Sequence, residues 1–496
     1  MSSKPPTNAE EPSEDNEALL DASEAAEEIA DDGDHPMDSD PEDTAEPEEE
    51  IQLQNDSIAH FDLHTDSIFC IVQHPLDPSL IATGSGDDKV FVFSANPPSR
   101  VLPTSYETNP SPERPSLEPN AELGGHTDSV NALTFSLPNG NYLISGGLDG
   151  HVQVFTTTSN TYTLLASATE VEEINFLIPN PHPSHPNTFA LGASDGSAWV
   201  YTIDPEDKAT GPLRQVQAYY LHRGSCTAGA WTPDGNLLAT VSEDGSLNVY
   251  DVFGEAAAQG ISGHQGTVAI VSLSSDDQRF SMDGGIFSVA IAPSGAFVVV
   301  GGGAGMIRVV SLPRLSPAPG SVSAGQKGAK SKAGGGKKAG VSSSAHGVLL
   351  NSFQLFSDSV ESLSFSSAPY NLLAACSTDG SIALFDTTHN FAVRRHIKEA
   401  HEGHAVVQVE FVREEGREHL LTSCGLDGVV SRWDTRGGTA AAGQGLLSEW
   451  RGHRGGGEGG GVLGFVQGGK EGRIVTVGDD AVSLVFDAEK GVRRDD

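Results

Sequence analysis

Apolar and polar residues alternate in short runs along most of the chain. Between residues 125 and 155, the runs SVNALTF, NYLISGG and HVQVF are each compatible with a strand that buries one face. The turn sequences PNG and LDG separate these runs by only a few residues. Strands joined so closely must pair antiparallel. The segment therefore predicts a β-meander, and no helix-period segment of useful length lies between such units.

An aspartate six residues before an aromatic residue marks the last turn and the third strand of each meander. The complete spacing occurs at Asp87–Phe93, Asp149–Phe155, Asp195–Tyr201, Asp244–Tyr250, Asp379–Phe385, Asp427–Trp433 and Asp480–Phe486. A further copy, GGGAGMIRVV, has Ala304 and Val310 at the two positions. Units of about 45 residues, repeated eight times, predict an all-β, eight-bladed β-propeller with four-stranded blades.

The last unit has only three predicted strands, because the sequence continues for few residues after Phe486. We expect segment 51–60, IQLQNDSIAH, to supply the fourth strand and close a ring over residues 51–490. Closure would remove the exposed strand edges of an open array. Blade five lacks its turn aspartate, and about twenty extra residues follow its Gly263–His264 pair. We expect this blade to be the least rigid.

Histidines recur in a second register, in the loops that precede the first strands. We expect each to join its turn aspartate to a hydroxyl on the second strand, such as Ser145, Thr240 or Thr422. A buried polar network is stable when every member has a partner, which explains the fixed spacing. The expected network residues are His64, Asp87, His126, Asp149, Asp195, His222, Asp244, Asp379, His404, Asp427, His453 and Asp480.

Composition adds two segments of a different kind. The chain of 496 residues has a net charge of −39, and residues 1–50 contain twenty acidic residues and one lysine. We expect this tail to be disordered, together with the Gly/Ser/Ala/Lys-rich insertion 312–346 in blade five. The Pro-rich stretch 96–120 is expected to be a long loop. Such acidity disfavours strong nucleic-acid binding and favours basic partners.

No combination of residues predicts catalysis, a cofactor or a metal. The His/Asp pairs are spread over different blades and no nucleophile recurs beside them. GGGAGM (301–306) is followed by a strand rather than a helix, so a phosphate loop is disfavoured. His182 and His185 lie in a Pro-rich loop, and the cysteines form no CxxC pair. We expect a protein that is not an enzyme, has no apparent membrane span, and is a monomer.

Carboxylates collect at one end of the predicted blades. The loops before the first strands and the turns before the third strands share one face of a propeller. The sequence places there Asp66, Asp128, Glu170, Glu172, Glu173, Glu243, Asp358, Glu361 and Asp479. One interpretation is a solvated acidic surface. The other is a negative funnel that binds a Lys/Arg-rich peptide by several ion pairs at once.

The recurring GH and aromatic-Asp pairs, including Gly125–His126 and Trp433–Asp434, resemble those of the WD-repeat family. HTDSIFCIVQHP, GSGDDKVFVF, GHTDSVNALTF and SCGLDGVVSRWD further resemble the angio-associated migratory cell protein family, and in particular its fungal ribosome-assembly member. This resemblance implies a WD40 β-propeller and a dedicated chaperone of a basic, uL16-type large-subunit ribosomal protein. It also implies that the client is delivered to the pre-60S ribosome, with transient contact to that particle.

Two other functions remain open from the sequence. A general protein-interaction scaffold would use apolar residues beside the turns, such as Leu148 and Leu426. An acidic histone or nuclear chaperone would also fit the tail and a basic client. The Lys-rich run 327–338 is compatible with a plain loop, a nuclear-localisation signal or an RNA contact. We expect a cytoplasmic protein, with entry into the nucleus left open.

Overall fold

The computed structural model describes residues 54–97, 114–158, 161–207, 209, 211–261, 268–315, 346–437, 445–455, 459–469 and 472–491. The predicted tail 1–50, the centre of the Pro-rich stretch, the Gly263–His264 pair and nearly all of the insertion 312–346 lie outside these residues. Within them, the chain forms eight antiparallel four-stranded sheets, each a meander of sequential strands except the last. The predicted all-β, eight-bladed propeller is confirmed.

Each blade uses four strands in the order first to fourth. Blades one to four contain β2 (Ile68–Gln73), β3 (Leu80–Ser85), β4 (Val90–Ser94), β5 (Pro119–Leu123), β6 (Val130–Phe135), β7 (Tyr142–Gly147), β8 (His151–Thr158), β9 (Thr161–Thr169), β10 (Ile174–Pro179), β11 (Thr188–Ala193), β12 (Ala198–Ile203), β13 (Leu213–Tyr219), β14 (Cys226–Trp231), β15 (Leu237–Ser242), β16 (Leu247–Asp251) and β17 (Ala269–Leu273). A short helix, α1 (Glu255–Ala258), follows β16.

The remaining blades continue the same order. They contain β18 (Ile286–Ile291), β19 (Phe297–Gly302), β20 (Met306–Ser311), β21 (Leu349–Gln354), β22 (Val360–Phe365), β23 (Leu372–Ser377), β24 (Ile382–Asp386), β25 (Ala392–Ile397), β26 (Val406–Phe411), β27 (Leu420–Gly425), β28 (Val429–Asp434), β29 (Leu446–Arg451), β30 (Val462–Gly468), β31 (Arg473–Gly478) and β32 (Ser483–Asp487). First strands of successive blades contact one another around the ring, and β30 contacts β2. Apolar clusters fill the space between sheets; Ile144 of blade two, for example, shares one with Leu191 of blade three.

The ring is closed by a strand from the N-terminal side of the chain, as predicted. This strand, β1, is Ala59–Phe61, and it pairs antiparallel with β32 as the fourth strand of blade eight. It is shorter and lies later than the predicted segment 51–60. The residues before it continue toward blade seven, where the Asp56 N–H donates to the Arg451 carbonyl.

A second segment covers the outer edge of β1. Residues 115–117, from the link between β4 and β5, pair in parallel with His60: its N–H donates to the Pro115 carbonyl and its carbonyl accepts from the Leu117 N–H. The Leu117 side chain is buried, and Arg114 donates to the Ser57 carbonyl. We call residues 114–117 the clasp. The last residues of the predicted long loop over 96–120 thus pair with the closing strand before β5 begins at Pro119.

The turn aspartates and loop histidines form buried networks in several blades. In blade two, Nδ1 of His126 lies 3.1 Å from an oxygen of Asp149, and its Nε2 lies 2.8 Å from the Ser145 hydroxyl. His64 with Asp87 and His453 with Asp480 repeat this geometry. Burial alone would raise the pKa of Asp149, but N–H groups of Thr127 and His151 and the ring of His126 lower it overall.

Two blades depart from the expected partners. In blade four, His222 contacts Thr240 and Ser246, and the Ser246 hydroxyl donates to Asp244, so the histidine reaches the aspartate through a serine. In blade seven, the network histidine is His401 rather than the predicted His404. Its Nδ1 lies 2.9 Å from Asp427 and its Nε2 lies 2.8 Å from the hydroxyl of Ser423.

The prediction of Thr422 as the hydroxyl partner in blade seven was therefore also wrong. Thr422 instead donates to Gln467 of blade eight. The network histidine His401 lies five residues before β26, whereas His64 and His126 lie four residues before their strands. His404, three residues later, is half-buried in that loop, and its buried Nδ1 has no hydrogen-bond partner.

Blades three and six have no network histidine. In blade three, Asp195 accepts the Ser197 N–H, and the Ser197 hydroxyl accepts from the Trp199 indole. In blade six, Phe356 takes the histidine position and is buried, while Asp379 accepts from the N–H and hydroxyl of Ser357. An aspartate can thus hold the turn without a histidine.

Blade five replaces the polar network with apolar side chains. Gly263–His264 precedes β17, which is the fourth strand of blade four, so it cannot be the loop before blade five as predicted. The loop that does precede β18 buries Phe280 and Met282 instead. Ala304, in place of the aspartate, has φ of 54°, a left-handed conformation that costs an alanine energy.

Candidate functional site: the acidic rim

One hydrogen bond recurs at the same end of every blade. The residue before the turn position donates its backbone N–H to the carbonyl of the residue that precedes the first strand. The eight donor–acceptor pairs are Gly86–Ser67, Leu148–Ser129, Ser194–Glu173, Glu243–Ser225, Gly303–Gly285, Thr378–Ser359, Leu426–Ala405 and Asp479–Gly461. These loops and turns therefore lie together around the mouth of the ring. We call this end the rim.

The predicted carboxylates lie on or beside the rim. Asp66, Asp128, Glu172, Glu173 and Asp358 belong to its loops, Glu243 and Asp479 belong to its turns, and Glu361 lies on β22. All of them except Glu361 and Asp479 are exposed. Glu170 is exposed too, but it lies four residues before β10, the place of the network histidine in other blades, and its charge acts on Tyr201.

The fold holds several of these carboxylates in place. Asp66, Asp128 and Asp358 each accept the backbone N–H of the serine that follows, at 2.7–2.8 Å. Glu361 accepts from the Ser359 hydroxyl. Such bonds fix the carboxylates before any ligand arrives, so a cationic partner meets a prearranged set of negative charges.

The charge is unevenly spread around the rim. The predicted loop carboxylates lie in blades one, two, three and six, whereas blades four and eight have Gly224 and Gly460 two residues before their first strands, and blade seven has His404 there. Arg223 and Arg454 lie in the loops of blades four and eight. The predicted loop carboxylates of blades one to three are therefore neighbours, and that of blade six lies across the mouth from them.

The sequence analysis missed two exposed carboxylates of the rim loops. Asp283 lies three residues before β18, and Glu402 lies four before β26, within 3.7 Å of Arg451. Both were hidden by a register error: Gly263–His264 was assigned to the loop of blade five, and His404 was assigned to the network. Aligning the loops on the first strands, rather than on histidines, would have found them.

A bulge takes one residue of every first strand out of the regular pairing, close to the rim. The pairing with the second strand skips the second residue of the strand in all eight blades. The skipped residues are Phe69, Asn131, Asn175, Thr227, Phe287, Glu361, Val407 and Leu463. Asn131, Asn175 and Thr227 donate to backbone carbonyls of the next blade, which joins blades two to five.

Two other kinds of site are not found in the part of the chain that the structure describes. None of its helices is long and apolar enough to cross a membrane. No group of three or more His, Cys, Asp or Glu side chains there is placed to hold a metal ion. Its cysteines are free thiols, and burial raises the pKa of Cys226 to about 12.

Comparison with known proteins decides the family. The description "WD domain, G-beta repeat" matches residues 55–94, 117–156 and 213–251. The crystal structure of Chaetomium thermophilum Sqt1 bound to the N-terminus of ribosomal protein L10 superimposes with a TM-score of 0.73. It is 49% identical and covers 88% of this chain and 100% of that one. The chain belongs to the WD-repeat family.

Within that family, its relatives include two groups of proteins. The ribosome assembly protein SQT1 of Saccharomyces cerevisiae is 31% identical over 211 residues, which is 41% of this chain and 43% of that protein. Human angio-associated migratory cell protein is 25% identical over 80% of this chain and 74% of its own length. The resemblance drawn from the repeat sequences is therefore confirmed.

Proposed function

We propose that this WD-repeat protein is a chaperone that binds a basic large-subunit ribosomal protein at its acidic rim. The observation that carries the proposal is the set of exposed, prearranged carboxylates around one mouth of the ring. The Chaetomium Sqt1 structure, nearly half identical over most of this chain, supports it because that protein is bound to the N-terminus of ribosomal protein L10.

The physical mechanism is electrostatic capture. Carboxylates around a concave mouth focus the field and raise the rate at which a basic segment is caught. Bound there, the client's lysines and arginines are shielded from cellular RNA. Release requires no nucleotide and no catalysis, since rRNA phosphates compete for the same cations. We propose a uL16-type client, delivery to the pre-60S particle, and action mainly in the cytoplasm.

Reversing the charge of the rim tests this mechanism. The triple change Glu172→Lys, Glu173→Lys and Glu361→Lys should weaken binding of the N-terminal segment of L10 by roughly a hundredfold at low salt. The salt dependence of the remaining affinity should also become shallower. Fluorescence anisotropy of the labelled segment, titrated with the full chain at several salt concentrations, measures both quantities.

The matched control reverses three exposed carboxylates away from the rim. Glu118→Lys, Glu206→Lys and Glu415→Lys change the net charge equally, but these residues lie in or beside links at the opposite ends of the strands. The control should bind almost as well as the parent. If the rim and control variants lose affinity equally, net charge rather than the rim captures the client, and the proposal fails.

A further inference from the structure

The mouth of the ring has an apolar side as well as an acidic one. Among the residues that the bulges take out of the regular pairing, blades seven, eight and one carry Val407, Leu463 and Phe69, and Val407 also packs partly against the core between blades seven and eight. Leu426, in the turn of blade seven, lies beside them. Blades two, three, four and six carry polar or charged residues at this position, and blade five carries a separate apolar residue, Phe287. Phe69 is 42% exposed and Leu426 is 37% exposed. We call Val407, Leu426, Leu463 and Phe69 the apolar arc.

Glycines make room for the two most exposed members of the arc. A Cβ atom on Gly86 would lie 3.3 Å from Cε2 of Phe69, so the aromatic ring lies across the turn of its own blade. A Cβ atom on Gly461 would lie 2.6 Å from Cδ2 of Leu426, so the leucine lies across the loop of blade eight. Most other blades have side chains at these two rim positions. The apolar side chains are therefore accommodated by the backbone of the rim.

One carboxylate lies inside the arc, between Leu426 and Phe69. The Asp479 N–H donates to the Gly461 carbonyl, and the Asp479 carbonyl accepts from the Ser67 hydroxyl of blade one. Its Oδ1 is buried without a hydrogen-bond partner, and burial raises the pKa of this side chain. A carboxylate oxygen that is buried without a hydrogen-bond partner is costly, so a cation brought beside Asp479 gains more than at a fully exposed carboxylate.

We propose that the apolar arc binds a large apolar or aromatic side chain of the basic client segment, adjacent in sequence to a cation that pairs with Asp479. The other cations of the segment face the carboxylates of blades one to three and six. This inference rests on the proposed function and adds a requirement to it: the rim recognises an apolar residue placed among basic ones. A client with positive charge alone fits only part of the mouth.

Two substitutions remove the two most exposed side chains of the apolar arc without changing the charge of the rim. The double variant Phe69→Ser, Leu426→Ser should bind the N-terminal segment of L10 roughly ten- to a hundredfold more weakly than the parent, as expected for loss of one buried apolar contact. The slope of log affinity against log salt should stay unchanged, because no ion pair is lost. Both residues are substantially exposed, and matching melting temperatures will verify that the variant folds.

Changes in the bound segment supply a second test of the apolar arc. A version of the segment with its large apolar residues changed to serine, and all lysines and arginines kept, should bind the parent as weakly as the original binds the double variant. The double variant should not distinguish the two segments. Leu76→Ser with Leu164→Ser, two exposed leucines outside the rim, is the matched control and should distinguish them as the parent does.

The outcomes separate this inference from the proposed function. If the parent binds both segments equally, or if the double variant binds like the parent, the rim recognises only the positive charge of the client. The inference about the apolar arc is then overturned, while the chaperone proposal stands. If the parent binds neither segment, the proposed function fails and the arc fails with it. Loss of affinity confined to the apolar residues of the segment and to the arc supports the inference.

Discussion

Blades four and five are neighbours that solve one structural problem in opposite ways. Both must hold the loop before the first strand against the turn after the second. Blade four uses His222, Thr240, Ser246 and Asp244 in a polar network, whereas blade five uses Phe280 and Met282 as an apolar plug. The hydrogen bond from Glu243 to Ser225 in blade four has its counterpart from Gly303 to Gly285. The backbone of the rim therefore does not require the network.

The difference lies in how each solution responds to conditions. The contacts of an apolar plug do not depend on pH, because its side chains do not titrate. They depend instead on how well the volume and shape of those side chains fill the space around them. A polar network depends on protonation states and on every member having a partner. The missing aspartate of blade five is the reason to expect low rigidity there, and that expectation stays a prediction. The structure shows that apolar side chains take the place of the polar network in this blade.

The largest expected effect on stability comes from truncating a side chain of the apolar plug in blade five. Phe280→Ala should lower the free energy of unfolding by about 3–5 kcal/mol, because the ring is almost fully buried and its removal leaves a cavity. Chemical denaturation, followed by tryptophan fluorescence, measures the change. Phe280→Leu, which keeps most of the volume, should cost far less. A loss below about 1 kcal/mol for the alanine variant would show that the plug does not hold blade five.

The second largest effect should be a difference between blades four and five in how their stability changes with pH. Burial lowers the pKa of His222 to about 4, from about 6.5 in an unfolded chain. The folded state thus favours the neutral ring, and this stabilisation is complete above pH 6.5 and is lost as the pH falls toward 4. The free energy of opening of β15 should fall by up to roughly 3 kcal/mol as the pH is lowered across this window. Hydrogen exchange, corrected for the intrinsic exchange rates at each pH, measures this change.

The matched region for this measurement is β19 of blade five, which has no histidine in its loop or turn. Its opening free energy should change less than that of β15 over the same window. The variant His222→Gln should abolish the difference between the two strands, because glutamine does not titrate. Equal pH responses in the parent would mean that His222 is not kept neutral by the fold.

The smallest expected effect concerns the turn of blade five. Ala304→Gly should raise the free energy of unfolding by about 0.5–1 kcal/mol, because glycine adopts the left-handed conformation of this residue without steric cost. Ala290→Gly, within β18, is the control and should be destabilising. Differential scanning calorimetry on both variants measures the pair. A destabilised Ala304→Gly variant would mean that the methyl group contributes more than its backbone strain costs.

These comparisons also explain what could be predicted from the sequence. Alternation and the Asp–aromatic spacing reflect local chemistry repeated eight times, and they predicted the meanders, their number and the closing strand. The assignment of His404 failed because two histidines three residues apart precede β26, and spacing alone does not choose between them. The clasp was missed because one parallel bridge at residues 115–117 leaves no periodic pattern.

The candidate site divides in the same way. The acidic positions follow from where the loops and turns fall in each repeat, so the sequence could place them near the mouth. The apolar arc could not be predicted, because a bulge takes Phe69, Val407 and Leu463 out of the regular pairing without any change in the apolar pattern. Only the strand register shows that these residues leave the regular pairing and share one side of the mouth.

The clasp has a consequence for the order in which the protein can be completed during translation. Strand β1 is synthesised more than four hundred residues before its partner β32, so Ala59 can pair with Val485 only after the strands between them have been made. The clasp residues emerge only some tens of residues after β1 and already offer a partner for its other edge at His60. The clasp can therefore hold β1 beside blade one of the nascent chain while the other blades form. Strand β1 is then in place to pair with β32 once that strand has been made.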